Sequence, residues 1–342
     1  MSEDFLIGTY TKKDSQGMYA VTLDTENNQL VNDHLILNLQ KPAYLQVASH
    51  NLIFAVRQEG ELGGVASYQI NNGKTTLIDK SLSVGAPPAY VGLDTNRHLL
   101  FSANYHTAEV NIYRIDDAGH LTLTDSIRHE GTTGPKPEQV DGPHPHFADL
   151  TPDGHLAVCD LGMDLLVIYN IDEDGKLTSA GQYKFEPGFG TRHLVFHPNG
   201  KYVYVLGELS SKLAVLKYNA NNASFEQLQI VKTIPADWTA HNGAAAIHIT
   251  KDGRFIYTSN RGENTIAVFE IQDDYTVNHV QSISTEGDFP RDFELSKDES
   301  FLIASNQNSD NLTLFKRNAE TGKLEMLQKD VYSPEPVCVK KW

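Results

Sequence analysis

Arginine and histidine side chains gather in a few short segments of this 342-residue chain, where they could bind an anion and move a proton together. The histidines and arginines concerned are His144, His146, His193, His241, Arg57, Arg192, Arg261 and Arg291. Imidazole exchanges protons near neutral pH, and guanidinium groups bind carboxylate or phosphate through two parallel hydrogen bonds. Because the chain otherwise carries a formal net charge of -16, these cations predict a small anionic ligand.

The excess of acidic residues also restricts which partners the protein can bind. With 28 Lys and Arg against 44 Asp and Glu, the surface lacks the basic excess on which phosphate-rich partners depend, so we expect no nucleic-acid and no membrane partner. The segment MSEDFLIGTY carries acidic residues where a signal peptide carries positive charge. The chain has two cysteines, Cys159 and Cys338. We expect a cytoplasmic monomer.

Short runs of alternating apolar residues, separated by Asp-Gly and Asn-Gly turns, indicate the strands that must position these groups. Runs such as LLFSANY (99–105), YVYVLGEL (202–209) and FIYTSNRG (255–262) recur 46 to 56 residues apart. Aligned on their ends, they place in one column Thr9, Arg57, Asn104, Asp160, Gly207, Asn260 and Asn306. A period near 50 with about four strands is typical of a β-propeller blade.

The repeat therefore predicts an all-β fold, a seven-bladed β-propeller of four-stranded antiparallel blades in one domain, 1–342. The chain starts at a second strand and finishes at a first strand, so one blade must be shared by 1–38 and 333–342. The C-terminal strand SPEPVCVKKW would then pair with the N-terminal strand and close the ring.

Two columns of the repeat depart from its ordinary residues at the face where first strands start and second strands end. The first-strand column contains Ala43, Ala89, His146, Arg192, Ala245 and Arg291, so three blades replace alanine by a cation. The second-strand column carries Glu208 and Arg261, which the repeat does not require. His155 and His197 lie beside first-to-second-strand turns and are interpreted as structural.

Several other interpretations accompany this site. His144 and His146 face one side and could bind a metal with Glu208 or Asp160, but no complete ligand set is evident, so no metal is predicted. Cys159 lies in mid-strand and is expected in the core. The arginines could instead be inter-blade struts paired with Asp160, Glu208 or Asp292, and the long connections 129–145 and 235–243 could rim the pocket or be insertions without a role.

Segments spanning the whole chain resemble the seven-bladed propeller lactonase family, among them GPHPHFADLTPDG (142–154), DLGMD (160–164), TRHLVFHPNGKYVYVLGELSS (191–211) and FPRDF (289–293). The resemblance implies hydrolysis of a phosphorylated sugar lactone, 6-phospho-D-glucono-1,5-lactone, in the pentose phosphate pathway. In a fungal carboxymuconate-lactonizing member, a histidine, an arginine and a glutamate are functional. By motif they correspond to His144, Arg192 and Glu208.

Lactone opening needs an activated water, a group that stabilises the tetrahedral oxyanion and an anchor for the distal anion. We assign His144 as general base, Glu208 as the group that orients it or the water, and Arg192 as oxyanion stabiliser. Substrate binding is expected from His146, His193, Arg261, Arg291 and His241. This chemistry requires no cofactor. Two alternatives remain, an enzyme for another carboxylated lactone and a non-catalytic interaction scaffold.

Overall fold

Seven four-stranded antiparallel sheets form the described part of the chain, which in this computed structural model comprises residues 2–49, 51–71 and 73–342. The predicted fold class, an all-β seven-bladed propeller, is confirmed. Six sheets use four strands consecutive in sequence, and the seventh combines both ends of the chain. Among the described residues, no helix is long and apolar enough to cross a membrane.

The strands of the first three blades in chain order have the following bounds. The chain begins with β1 (Ser2–Thr9), β2 (Gly17–Asp24) and β3 (Gln29–Asn38). The next blade contains β4 (Leu45–Ser49), β5 (Leu52–Glu59), β6 (Leu62–Asn71) and β7 (Lys74–Val84). It is followed by β8 (Tyr90–Asp94), β9 (Leu99–Ala103), β10 (Glu109–Ile115) and β11 (Leu121–Arg128). A single-turn 3-10 helix, Pro137–Gln139, comes after β11.

The remaining four blades continue the same pattern. The first of them contains β12 (Pro145–Leu150), β13 (Leu156–Asp160), β14 (Leu165–Ile171) and β15 (Leu177–Lys184). The second contains β16 (Thr191–Phe196), β17 (Tyr202–Gly207), β18 (Lys212–Asn219) and β19 (Ser224–Lys232). The third contains β20 (Gly243–Ile249), β21 (Phe255–Arg261), β22 (Thr265–Ile271) and β23 (Val277–Ser284). The last contains β24 (Pro290–Leu295), β25 (Phe301–Asn306), β26 (Asn311–Arg317) and β27 (Leu324–Tyr332), after which β28 (Pro336–Lys341) ends the chain.

The blades divide into two compact units, which we call the terminal unit and the middle unit. The terminal unit consists of residues up to 43 and from 231 onward, and the middle unit of residues 44–230. In the terminal unit one sheet has the order β28-β1-β2-β3, with Ile7 paired to Val339. The predicted sharing of a blade by the two chain ends is confirmed.

Second strands are buried on both faces because each blade packs against a neighbouring blade. Every residue of β21 is buried, and β9, β13 and β25 show the same pattern. Between the shared blade and the last blade of the terminal unit, the core contains Phe5, Ile7, Val339, Ile303 and Leu314. Burying one such side chain contributes roughly 1.5–3 kcal/mol, so the stacked blades stabilise one another. Cys159 is fully buried as predicted, and burial raises the pKa of its thiol.

The turns between first and second strands repeat one arrangement of side chains. The Thr151 hydroxyl donates to Asp153 at 2.7 Å and accepts the His155 N–H at 3.0 Å. Thr250 and Ser296 make the equivalent pairs in two blades of the terminal unit. His155 lies 2.8 Å from Asp153, and His197 Nδ1 accepts the Asn199 N–H at 3.1 Å. Both histidines thus make turn contacts, in agreement with their structural interpretation.

Candidate active site

The positions that the internal repeat singles out in first strands are positions of β-bulges. In β16 the pairing register shifts between Thr191 and His193, which leaves Arg192 as the extra residue. The same shift occurs at His146 in β12 and at Arg291 in β24. A bulge sets two residues against one on the partner strand, bends the strand and changes the direction of a side chain. The first-strand column therefore coincides with a bulge in these three blades, and each of the three places an arginine or a histidine there.

The ring of His144 makes two short polar contacts in the middle unit. Its Nδ1 atom lies 2.6 Å from the Tyr105 carbonyl oxygen, and its Nε2 atom lies 2.9 Å from Asp141 Oδ1. The ring also stacks on the Tyr105 ring, with centroids 4.0 Å apart. Carbonyl and carboxylate oxygens only accept, so a proton on either ring nitrogen points at an acceptor. The bond from His144 holds the pKa of the mostly exposed Asp141 carboxyl below its usual value.

His146 and His193 contact each other directly. The distance from His146 Nδ1 to His193 Nε2 is 3.1 Å, and both residues are about 5% exposed. The His193 ring lies edge-on to Tyr90, with centroids 5.3 Å apart, and near Phe147. Tyr44 packs in turn on Tyr90 at 4.4 Å. One imidazole donates and the other accepts in this contact, and the aromatic rings fix its position.

Arg192 forms an ion pair with Glu208 inside one blade. Arg192 Nε lies 2.9 Å from Glu208 Oε2, a contact close enough for an ion pair although the N–H is not directed along it. The arginine is 2% exposed, and the glutamate side chain is 19% exposed. The Glu208 N–H donates to the Gly190 carbonyl at 2.8 Å. Since both residues belong to the same blade, this pair is not the inter-blade strut considered above.

Asp160, the first residue of the DLGMD turn between β13 and β14, supports the segment that carries His144. Its Oδ1 atom accepts the backbone N–H groups of His144 and Met163, both at 2.9 Å. Its Oδ2 atom lies 2.7 Å from His129 Nδ1, and His129 Nε2 lies 2.9 Å from the Tyr169 hydroxyl. Burial raises the pKa of Tyr169 to about 12, so its hydroxyl stays protonated and donates. The chain of three side chains fixes the His144 backbone.

Asp164, the last residue of the same turn, supports the segment that enters β16. Its carboxylate accepts the N–H groups of Gly188 at 2.9 Å and Gly190 at 2.7 Å. It also accepts the Gln139 amide at 2.6 Å, and that amide donates to the Leu161 carbonyl at 2.8 Å. The long connection after β11 is thereby tied to this turn through its 3-10 helix. One buried carboxylate thus holds the segments that lead to His144 and to Arg192.

A cavity of about 360 Å³ opens beside His144 in the middle unit. Its polar lining consists of His106, Arg128, His129, Glu130, Asp141 and His144. Its volume lies within the usual range for small-molecule sites, about 300–1,000 Å³. Most of these residues come from the connection between β11 and β12, so this connection forms the wall of a cavity next to a predicted site residue.

The four arginines have different surroundings. Arg57 is committed to its own blade, because its Nε atom donates to Glu59 at 2.6 Å and its Nη1 atom to the Tyr68 hydroxyl at 2.9 Å. Contacts of this kind are those of a structural strut. Arg57 and Arg192 belong to the middle unit, whereas Arg261 and Arg291 belong to the terminal unit.

Three predicted binding residues have their own environments in the terminal unit. The buried Arg261 donates from Nε to the Gly243 carbonyl at 3.0 Å and lies over the Phe289 ring. The guanidinium of the half-buried Arg291 lies over the Tyr10 ring, 5.3 Å from its centroid. His241 is exposed in the connection between β19 and β20. Their roles in binding stay predictions.

Sequence reasoning missed the partners that orient the site, namely Tyr105, Asp141, Gln139, Asp164 and the His193 neighbour Tyr90. Asp164 could have been noticed in the sequence. The last residue of the turn between second and third strands has a left-handed backbone conformation in several blades. That position holds Ala108, Asp164, Ser211, Asn264 and Asp310, with φ between 51 and 61°. Aspartate and asparagine tolerate this conformation, and their side chains bond nearby backbone. No metal cluster occurs among the described residues, since no three His, Cys, Asp or Glu side chains converge suitably.

Comparison with known proteins identifies the family to which this architecture belongs. A family model described as "Lactonase, 7-bladed beta-propeller" matches residues 4–341. The chain belongs to this lactonase family. The resemblance inferred from the motifs is confirmed, and the chain is a hydrolase that acts on lactone esters.

Several relatives match over nearly the full length. A 6-phosphogluconolactonase of Bacillus subtilis (strain 168) is 41% identical over 340 residues, which cover 98% of this chain and 97% of that protein. A solved structure of a protein from Lactobacillus plantarum is 50% identical, with a TM-score of 0.98 and 100% of both chains covered. The periplasmic gluconolactonase of Pseudomonas aeruginosa is 28% identical, with a TM-score of 0.92, and covers 100% of this chain and 99% of that chain.

Proposed function

We propose that this lactonase hydrolyses 6-phospho-D-glucono-1,5-lactone to 6-phosphogluconate, in the pentose phosphate pathway of the cytoplasm. The observation that carries the proposal is the ion pair between the buried Arg192, at a bulge position, and Glu208, in the same unit as His144, His146 and His193. The relative named 6-phosphogluconolactonase supports the choice of a phosphorylated lactone.

Arg192 is the group we propose to stabilise the reacting carbonyl. When water adds to the lactone carbonyl carbon, the carbonyl π electrons move to oxygen and create an oxyanion. A guanidinium fixed before the reaction stabilises this charge without reorganising, and its effect is large in a water-poor site. Glu208 fixes Arg192 by the 2.9 Å contact and balances its charge while no substrate is bound.

His144 takes part in this proposal as the general base, the role assigned to it from the sequence. Its Nδ1 atom lies against the Tyr105 carbonyl, which orients the ring, and its Nε2 atom lies against Oδ1 of the mostly exposed Asp141 carboxylate. We assign the binding of the substrate phosphate to Arg261 and Arg291, as proposed from the repeat. Arg192 itself remains the oxyanion stabiliser, and no step requires a cofactor.

A second candidate substrate is the unphosphorylated sugar lactone. The favouring observation is the similarity to a periplasmic gluconolactonase of 28% identity over the whole chain. The two candidates share the ring-opening chemistry and differ only in the distal anion. Only the phosphorylated lactone therefore needs an arginine that binds its phosphate.

The test compares kcat/KM for 6-phosphogluconolactone and glucono-1,5-lactone in wild type, Arg261→Ala and Arg291→Ala. We expect wild type to prefer the phosphorylated lactone and either variant to narrow that preference by raising KM, because an anchor acts in ground and transition states alike. Arg254→Ala is the matched control, since Arg254 is exposed and donates to the Glu320 carbonyl. Equal efficiency on both lactones in wild type would favour the second candidate, whereas an unchanged preference in both variants would show that neither arginine binds the phosphate.

A further inference from the structure

We infer that Arg128 binds the phosphate of the substrate in the cavity beside His144; this inference rests on the proposed lactone hydrolysis. Arg128 is the last residue of β11, and it lines the cavity of about 360 Å³ together with His144. All lining residues of this cavity belong to the middle unit. The inference therefore adds a residue of the middle unit to Arg261 and Arg291, which the internal repeat singled out in the terminal unit.

Arg128 differs from the other arginines of the chain in what its guanidinium contacts. The chain has nine arginines. Seven of them contact a carboxylate, hydroxyl or carbonyl oxygen, namely Arg57, Arg97, Arg114, Arg192, Arg254, Arg261 and Arg317. Arg291 lies over the Tyr10 ring. Within the described residues, the Arg128 guanidinium makes no hydrogen bond, ion pair or ring contact.

The carboxylates nearest to Arg128 are engaged by other groups. Glu109 is paired with Arg128 in the strand register, but its Oε2 atom accepts a neighbouring threonine hydroxyl at 3.1 Å. Asp141 Oδ1 lies 2.9 Å from His144 Nε2, and this hydrogen bond holds the pKa of the Asp141 carboxyl below its usual value. The donors of Arg128 are therefore available to a ligand that enters the cavity.

The position of Arg128 in the same cavity as His144 suits the phosphate of the proposed substrate. In 6-phospho-D-glucono-1,5-lactone the phosphate is attached to the carbon outside the ring, so it lies about one ring width from the carbonyl carbon. A water activated by His144 places that carbonyl carbon beside the histidine, and the phosphate then stays within the cavity. The planar fork of a guanidinium can bind two phosphate oxygens at once. The cavity has a volume near the lower end of small-molecule sites, which suits a single sugar phosphate.

Two further residues of the cavity decide how the inference can be tested. The carboxylate of the exposed Glu130 lines the cavity two residues after Arg128. It can accept a sugar hydroxyl, but its negative charge opposes the binding of a phosphate. Both ring nitrogens of His129 already contact protein oxygens, those of Asp160 and Tyr169. Arg128 and Glu130 should therefore act in opposite directions on an anionic ligand.

The binding test uses the free protein and the stable product 6-phosphogluconate, with gluconate as the probe that lacks the phosphate. Calorimetric titration measures the Kd of each. We expect Arg128→Gln to raise the Kd of 6-phosphogluconate by about 10-fold or more and to leave that of gluconate unchanged, because a charge-assisted hydrogen bond to the phosphate is lost. Glu130→Gln should lower the Kd of 6-phosphogluconate.

Arg114→Gln is the matched control, since Arg114 is an exposed arginine outside this cavity that donates to the Glu173 carbonyl. It should bind both probes as wild type does. Thermal unfolding of each variant shows that it is folded. In steady-state kinetics, Arg128→Gln should raise KM for 6-phosphogluconolactone and leave KM for glucono-1,5-lactone at the wild-type value.

A wild-type Kd for 6-phosphogluconate in Arg128→Gln, or an equal loss of affinity for gluconate, would overturn the inference. If such a protein still opened 6-phosphogluconolactone, the proposed function would stand without it. A folded wild type that binds 6-phosphogluconate through Arg128 but opens no lactone would instead overturn the proposed function and leave the phosphate site in place.

Discussion

Arg192 can act on a carbonyl oxygen only while its guanidinium is held in place. The 2.9 Å contact with Glu208 holds it, and both side chains are largely buried. We expect Arg192→Ala to lower kcat by about 100-fold or more on both lactones, because the lost interaction forms in the transition state. Arg192→Lys should restore little, since an ammonium group lacks the planar fork. A fall in kcat confined to the phosphorylated lactone would show that Arg192 binds phosphate instead.

Asp33 provides a second prediction at the scale of one residue, for stability rather than activity. Burial raises the pKa of its carboxyl from 3.8 to about 6, against the opposing effects of Ser333 and His34. The folded chain thus binds this proton more tightly than the unfolded chain. The contribution of Asp33 is most favourable below about pH 4, is lost as pH rises to about 6, and stays unfavourable above that.

Asp33→Asn should therefore raise the unfolding temperature at pH 7 and leave it unchanged near pH 4. The measurement is thermal unfolding of wild type and variant across this pH range. Asp237→Asn, a change of an exposed aspartate, is the matched control. A difference between wild type and Asp33→Asn that is the same at both pH values would contradict the assignment.

The candidate site residues were predictable where the repeat made an exception visible. Arg192 and His146 stand out because three other blades place alanine in the same column, and Glu208 because it is the acidic residue of its column. The base role of His144 depends instead on what faces its two nitrogens. Those partners are a backbone carbonyl 39 residues away in sequence and an aspartate in an irregular loop. No pattern of residue types shows such contacts, so the sequence alone could not show how the His144 ring is held.

The turn between β13 and β14 contacts two of the segments that lead to site residues. Asp164 in this turn accepts N–H groups from the segment entering β16 and the amide of Gln139. Asp310 has an equivalent turn position in the terminal unit and accepts the Glu335 N–H at 2.9 Å. The same device thus recurs, but only Asp164 supports strands that carry proposed catalytic residues.

We expect Asp164→Ala to lower the free energy of unfolding by about 1–3 kcal/mol, since buried N–H donors lose their acceptor. It should also lower kcat, because the segments leading to Arg192 and His144 are released. Asp310→Ala, the matched control, should reduce stability while leaving kcat at the wild-type value. Denaturant unfolding and steady-state kinetics measure the two effects. Equal losses of kcat in both variants, or none in Asp164→Ala, would contradict this role.

The strands were predictable at the scale of elements, whereas the bulges were not. Alternating apolar residues and Asp-Gly turns fix where a strand such as β13 or β21 begins and ends. A bulge is one unpaired residue in a ladder, and it appears only in the register between two strands, as at Arg192 in β16. The column of exceptions coincides with the bulges at His146, Arg192 and Arg291, but it could not show that the strand register shifts there.

At the scale of the whole molecule, the two chain ends are joined in one blade. Val337, Cys338 and Val339 are buried there, and the Glu335 carboxylate accepts the N–H groups of Lys12 and Lys13 at 2.8 to 3.0 Å. Removing residues 333–342 deletes β28, exposes the edge of β1 and releases the loop after it. We expect a loss of several kcal/mol in the free energy of unfolding, and aggregation through the open edge.

Thermal unfolding and light scattering of the truncated chain measure this prediction. Glu335→Ala provides an intermediate case, because it releases the loop and keeps the strand. It should lower the unfolding temperature less than the truncation does. A truncated chain that unfolds at the wild-type temperature and stays monodisperse would show that the shared blade contributes little to stability.

The blade count and the shared blade followed from the sequence because a propeller repeats one local unit seven times. Each repeat is an independent sample of the same strand and turn pattern, so errors in one blade are corrected by the others. The identity of the substrate cannot be inferred from repeated units, because the site is formed once in the molecule. The Arg192–Glu208 pair occurs in one blade, and its chemistry suits any lactone that presents a carbonyl to the guanidinium.

The central claim is that this chain opens a phosphorylated sugar lactone. The most direct measurement is the rate of 6-phosphogluconolactone opening, followed by acid release in weak buffer with and without purified wild-type protein. The account predicts a rate proportional to protein concentration, saturable in lactone and well above the spontaneous rate. A folded wild-type protein that leaves the spontaneous rate unchanged would contradict it.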